Sequence, residues 1–102
     1  MPSKVFIPNK GSHDYSEAER YGELIFVSDG IQNRFSVDQM CRTWKDFLST
    51  STKKDYLLIT SLTILNCIGC AVFVAKHGVL NLLLFKSGKY MARSINLKEE
   101  GE

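Results

Sequence analysis

The reading of one stretch decides the fold: Tyr56 to Ala75, YLLITSLTILNCIGCAVFVA, which carries no charge and is followed by Lys76, His77 and Gly78 and then by a second apolar run, VLNLLLF, from Val79 to Phe85. About twenty apolar residues in a row can span a bilayer. Here the run breaks in two. Tyr56 to Thr60 is short and β-rich, and the hydroxyls of Thr60, Ser61 and Thr63 favour a helix start over a helix middle. From Leu62 the apolar residues continue to Ala75. Lys76 and His77 then complement a helix C-terminus, and Gly78 supplies the left-handed cap. Such a helix is roughly 24 Å long at 1.5 Å per residue, short of a hydrocarbon core of about 30 Å. The run from Val79 to Phe85 reads as a strand buried on both faces, because helix-covered parallel strands show continuous apolar runs. The pattern is a βαβ unit, and no membrane is expected as a partner.

Working outward, Lys4 to Ile7 predicts a first strand that Pro8 ends. Ser16 and Glu19 have capping-box spacing for a short helix that Gly22 stops, and Glu23 to Val27 predicts a second strand. Phe35, Ser36, Gln39 and Met40 combine a capping box with a hydrophobic staple. Val37, Met40, Cys41, Trp44 and Leu48 then recur at helical spacing as one apolar stripe. After Phe85, the turn from Lys86 to Lys89 leads into an alternating edge strand from Tyr90 to Asn96. The expected architecture is α/β: a mainly parallel sheet of about five strands with helices on its faces and a C-terminal antiparallel hairpin strand. Residues 1–97 form a single compact domain and 98–102 a charged flexible tail.

Composition agrees. At 102 residues, with 44% apolar and 24% charged, the chain has the size and balance of one globular domain. Thirteen basic residues against eleven acidic ones are scattered along it, which gives no electrostatic footprint for nucleic acid. No signal-peptide core follows Met1, and three cysteines form no disulfide framework, so a cytoplasmic location is expected.

Parallel sheets gather functional groups at the carboxyl ends of their strands. The loops expected there are polar: Asn9, Lys10, Ser12, His13 and Asp14 after the first strand, Ser28 and Asp29 after the second, Thr60 and Ser61 after the third. These nine are the candidate ligand-binding residues. His13 with Asp14 can act as a base with its orienting carboxylate or be a solvated turn. Asp29 with Gly30 can position a ligand hydroxyl or simply close a tight turn. Thr60 and Ser61 can hold a phosphate at a helix start or only cap it. No glycine-rich phosphate loop accompanies them. Cys67 and Cys70 have the C-x-x-C form, but mid-helix among apolar neighbours they read as packing, with no matching spacing for zinc. No cofactor, metal site or catalytic set is implied. Asn66 stands out as an amide inside an apolar helix that must find partners if buried.

The string from Gly11 to Leu24, GSHDYSEAERYGEL, together with Asp55 to Leu58 and Lys76 to Leu84, resembles small proteins of tailed bacteriophages that carry no assigned function. The resemblance implies a viral origin and expression in a bacterial host, and it carries over no site residues. Two functions remain open. One is a non-enzymatic accessory protein acting through contacts with itself, most simply as a dimer, and with a host or phage protein. The other is a nucleotide- or phosphate-ligand-binding domain, or small enzyme, using the strand-end loops. The helix from Leu62 is apolar nearly all round, so a second copy is the expected cover for its outer face.

Overall fold

The computed structural model describes residues 3–10, 13–27, 36–60 and 63–97. Phe35, expected to staple the first long helix, lies outside them. Among the described residues nine elements follow one another: β1 (Lys4–Ile7), the 3-10 helix η1 (Ser16–Tyr21), β2 (Glu23–Phe26), α1 (Val37–Phe47), the 3-10 turn η2 (Leu48–Thr50), β3 (Tyr56–Leu58), α2 (Thr63–His77), β4 (Val79–Lys86) and β5 (Lys89–Asn96). They build one five-stranded sheet in the order β2-β1-β3-β4-β5. β2, β1, β3 and β4 run parallel and β5 returns antiparallel to β4, as the βαβ and hairpin reading requires. The chain moves one way from β1 to β2 and the other way from there to β3. The direction of winding therefore reverses between β1 and β3.

That reversal sorts the helices. With right-handed crossovers, a reversal puts successive connections on opposite faces. Side chains alternate along each strand, so each face has its own core. Phe6, Leu57 and Leu80 join Met40, Trp44, Leu48, Leu65, Ile68 and Phe73 under α1 and α2. Val5, Ile7, Leu58 and Leu83 join Tyr15, Ala18 and Tyr90 under η1. The two long helices approach closely through Gly69, where an added Cβ would stand 2.5 Å from the Trp44 ring. The indole N–H of Trp44 is buried there with no partner among the described residues.

At the amino edge, polar side chains are spent on backbone. Asp55 accepts the amide N–H groups of Lys4 at 2.9 Å and Thr52 at 2.8 Å. Asn81 donates to the carbonyls of Lys53 and Asp55 and accepts from the Ser94 hydroxyl. Ser51 donates to Leu48 O at 2.7 Å and meets His77 Nε2 at 2.8 Å. The Lys76 ammonium donates to the carbonyls of Leu48 and Ser49, closing the end of α1.

Several local expectations need correction. β4 is not buried on both faces: Leu80 and Leu83 are buried, but Leu84 is 37% and Phe85 50% exposed, because β4 outruns the helices on the Leu84 face, and on the other face Phe85 is covered in part by the His13 and Tyr90 rings. Ser36 stands at the N-cap of α1 without a side-chain cap hydrogen bond. At η1 the cap comes from Asp14, whose Oδ1 accepts the Ser16 N–H at 2.9 Å, so Ser16 opens the element itself. α2 is 15 residues long, and no described helix is long and apolar enough to cross a membrane.

Candidate functional site

The carboxyl ends of β1, β3 and β4 enclose a cleft of about 230 Å³ lined by His13, Tyr15, Ile59, Thr60, Phe85 and Tyr90. It opens where the winding direction reverses, the position at which open α/β sheets leave a crevice between adjacent loops. Each wall has a local cause. His13 and Tyr15 come from the connection after β1, which Tyr15 pins by donating its hydroxyl to Asn9 O at 3.1 Å. Ile59 and Thr60 continue β3. Phe85 and Tyr90 face each other across the β4–β5 ladder, two steps from a turn in which Ser87 (φ 54°) and Gly88 (φ 82°) take left-handed conformations, the geometry that matches hairpin twist.

The rings stand against one another at steep angles. His13 meets Tyr15 at a centroid distance of 4.7 Å and Phe85 at 5.5 Å, and Phe85 meets Tyr90 at 5.0 Å, with interplanar angles of 66°, 84° and 60°. These tilted packings suit the ring quadrupoles. His13 Nε2 lies 3.2 Å from the Tyr90 hydroxyl. Burial pushes both phenols up, at Tyr90 with help from Tyr15 and Asp14. The phenols therefore stay protonated at neutral pH and serve as hydrogen-bonding groups.

Asn66 is the clamp of this site. Its amide accepts the Thr60 N–H at 3.1 Å and donates to Thr60 O at 2.6 Å, so it satisfies the strand end just before α2. A buried amide that bonds a strand end in this way returns its desolvation cost.

Of the nine sequence candidates, His13 and Thr60 line the cleft. Asn9 flanks it, with its side-chain Oδ1 buried and unpartnered among the described residues. Lys10 holds its ammonium 5.7 Å from the Phe26 ring, and Phe26 in turn lies 5.8 Å from Tyr15. Asp14 is not aimed at His13: the Ser16 backbone N–H and side chain hold its carboxyl below the usual range, and His13 contributes least. The acid–base pair is thus divided between two jobs, a cap and a ring wall. Ser12, Ser28, Asp29 and Ser61 lie outside the described residues.

Sequence reading missed Tyr15, Ile59, Phe85 and Tyr90. A signal for two of them was present, since a hairpin around Ser87 and Gly88 pairs Phe85 with Tyr90 on one face. The cysteines divide. Cys70 packs against the helix-side core and burial pushes its thiol up, whereas Cys67 is exposed and fills no space. No group of three metal-ligating side chains occurs among the described residues.

A three-layer sheet with an aromatic cleft at its winding reversal is the class the geometry defines. The chain matches the family described as phage Pam3 gp32-like protein over residues 3–98, and it belongs to that family. The expected phage resemblance is thereby shown. No curated protein and no solved structure matches it.

Proposed function

We propose that this phage protein is a non-enzymatic accessory factor of the host cytoplasm, working through protein–protein contacts, and that its first partner is a second copy of itself. The observation that carries this reading is an apolar shelf beside α2. Leu80 and Leu82 pack with the helix-side core, so alternation puts Leu84 on the same face, and register adds Met91 and Ile95 with Arg93 between them. The helices leave both ends of this face open: Leu84, near the turn, is 37% exposed, and at the opposite end Ile95 is 44% and the adjoining Leu97 61% exposed. On α2 the outward positions Ile64, Cys67, Ala71 and Ala75 are exposed, with Ile64 the only large apolar one among the described residues. The outer helix face is therefore narrower than its composition suggests, and the hairpin supplies most of the apolar surface.

Leaving such side chains in water forfeits roughly 1.5–3 kcal/mol apiece, which a two-fold dimer recovers for both copies. Lys89 and Arg93 share this face and, as charges on an edge strand, discourage pairing along β5, so the proposed contact is made by the apolar side chains that flank Arg93. Static light scattering at micromolar concentration tests the reading. A mass near twice 11.6 kDa is expected, and a clean monomer overturns it. A host or phage protein would then engage the assembled dimer.

A second reading rests on the cleft. Its size, ring-lined walls and place at the winding reversal support a small-ligand site, with His13 and Thr60 as first contacts and Asn9, Lys10 and Asp14 at its margin. A thermal-shift screen tests it, since a specific ligand raises the melting temperature by mass action.

A further inference from the structure

We infer that the carboxyl-edge cleft takes one neutral, planar, nitrogen-containing ring of nucleobase size, an inference that rests on the ligand-binding reading of that cleft. Volume selects the size. At about 230 Å³ the cleft falls below the roughly 300–1,000 Å³ of sites that enclose a whole drug-sized ligand. It has room for one ring system and leaves any sugar or phosphate outside. The walls select the shape. His13, Tyr15, Phe85 and Tyr90 stand at 60–84° to their neighbours, and Ile59 adds an aliphatic side. A flat ring can then stack on one wall while meeting the others edge-on.

Polar groups select a heterocycle over a hydrocarbon. The Tyr90 hydroxyl, the His13 ring and Thr60 all line the space. Tyr90 and His13 already share one hydrogen bond, but a phenol both donates and accepts, so the pair has capacity for a ring nitrogen or exocyclic amine. A bare hydrocarbon would desolvate these groups and return nothing. Charge selects neutrality. The charged groups flanking the cleft among the described loop residues are Lys10 and Asp14, of opposite sign. Lys86 and Lys89 lie one register step beyond Phe85 and Tyr90 and alternate onto the other face of the sheet.

The test is a titration of the isotopically labelled full chain followed by amide NMR shifts, with adenosine as the probe and ribose 5-phosphate as the ring-free comparison. Adenosine should move the amides of His13, Thr60, Phe85 and Tyr90 saturably, and ribose 5-phosphate should leave them in place. Phe85→Ala removes a half-exposed wall without opening the core, and it should weaken adenosine binding by about tenfold, the scale of one lost stacking contact. Shifts that persist at full affinity in Phe85→Ala overturn the ring-stacking assignment. If ribose 5-phosphate moves these amides and adenosine does not, the ring inference fails while the ligand-binding reading survives. If neither probe moves them at millimolar concentration, both fail.

Discussion

The centre of the sheet and its C-terminal hairpin are built from the same kinds of residue and end in opposite environments. In β1 and β3, Val5, Phe6, Ile7, Leu57 and Leu58 are all buried, with cover from α1 and α2 on one face and from η1 on the other. In the hairpin, only Leu80, Leu83 and Tyr90 reach that state; Val79, Asn81 and Leu82 are half-buried, and the end of β4 from Leu84 and nearly all of β5 are open. Apolar composition alone therefore does not report burial. Cover does, and among the described residues the two long helices and η1 bury β1 and β3 but only parts of β2 and β4. What the helices leave open is where a partner or a ligand can act.

The largest expected difference is between equivalent truncations in the two regions. Leu57→Ala should cost about 2–5 kcal/mol, the range for a buried leucine whose site cannot collapse. Leu84→Ala should cost less than about 1 kcal/mol, measured by urea unfolding at a concentration that keeps the chain monomeric. Equal losses would mean that the hairpin is as well covered as the centre. Next in size is Asp55→Ala. Asp55 is only 2% exposed and satisfies two backbone N–H groups at the amino edge, so its loss strands two donors, and about 2–4 kcal/mol is expected. The comparison is Thr60→Ala at the carboxyl edge, where the backbone keeps both bonds to Asn66 and the loss should stay near 1 kcal/mol. A mild Asp55→Ala would show that water replaces the carboxylate there.

The smallest effect concerns pH. Burial first, and the Lys76 charge second, with Lys53 adding a little, push His77 below its ordinary value of 6.5, while Asp55 opposes them. The folded chain then binds fewer protons at His77 than the unfolded chain does. Stability should accordingly fall as pH drops below about 6.5 toward the folded value, and level off beneath it. His77→Gln keeps a partner for Ser51 and removes the titration, so the slope of the urea midpoint between about pH 7 and pH 5 should flatten. An unchanged slope assigns the acid loss to carboxylates instead.

Much of the scaffold was legible in the residues. The break at Thr60 and the Lys76-His77-Gly78 terminus separated β3, α2 and β4, because capping chemistry and the helix dipole act locally. The hairpin was legible too, since Ser87 and Gly88 occupy the two left-handed positions of a tight turn. What was not legible depends on which elements lie over which. VLNLLLF reads as a doubly buried strand, yet Leu84 and Phe85 emerge on opposite faces because nothing in their own sequence says how far α2 covers one face and η1 the other. The site divides in the same way. His13 and Thr60 were found because polar residues at the ends of parallel strands converge. Phe85 and Tyr90 were missed because aromatic residues in strands are ordinary core. Asp14 looked like a partner for His13 because adjacency in sequence is visible, while its bond to the Ser16 N–H depends on the turn.

The central claim is that the uncovered hairpin shelf is a self-association surface, and one experiment addresses it most directly. Sedimentation velocity would compare the native chain with Ile95→Glu, on the shelf, and with Val37→Glu, an equally exposed apolar position at the start of α1 where a carboxylate suits the helix dipole. The account predicts a native mass near twice 11.6 kDa, unchanged in Val37→Glu and halved in Ile95→Glu. A native chain that sediments as a monomer, or a dimer that survives Ile95→Glu intact, would contradict it.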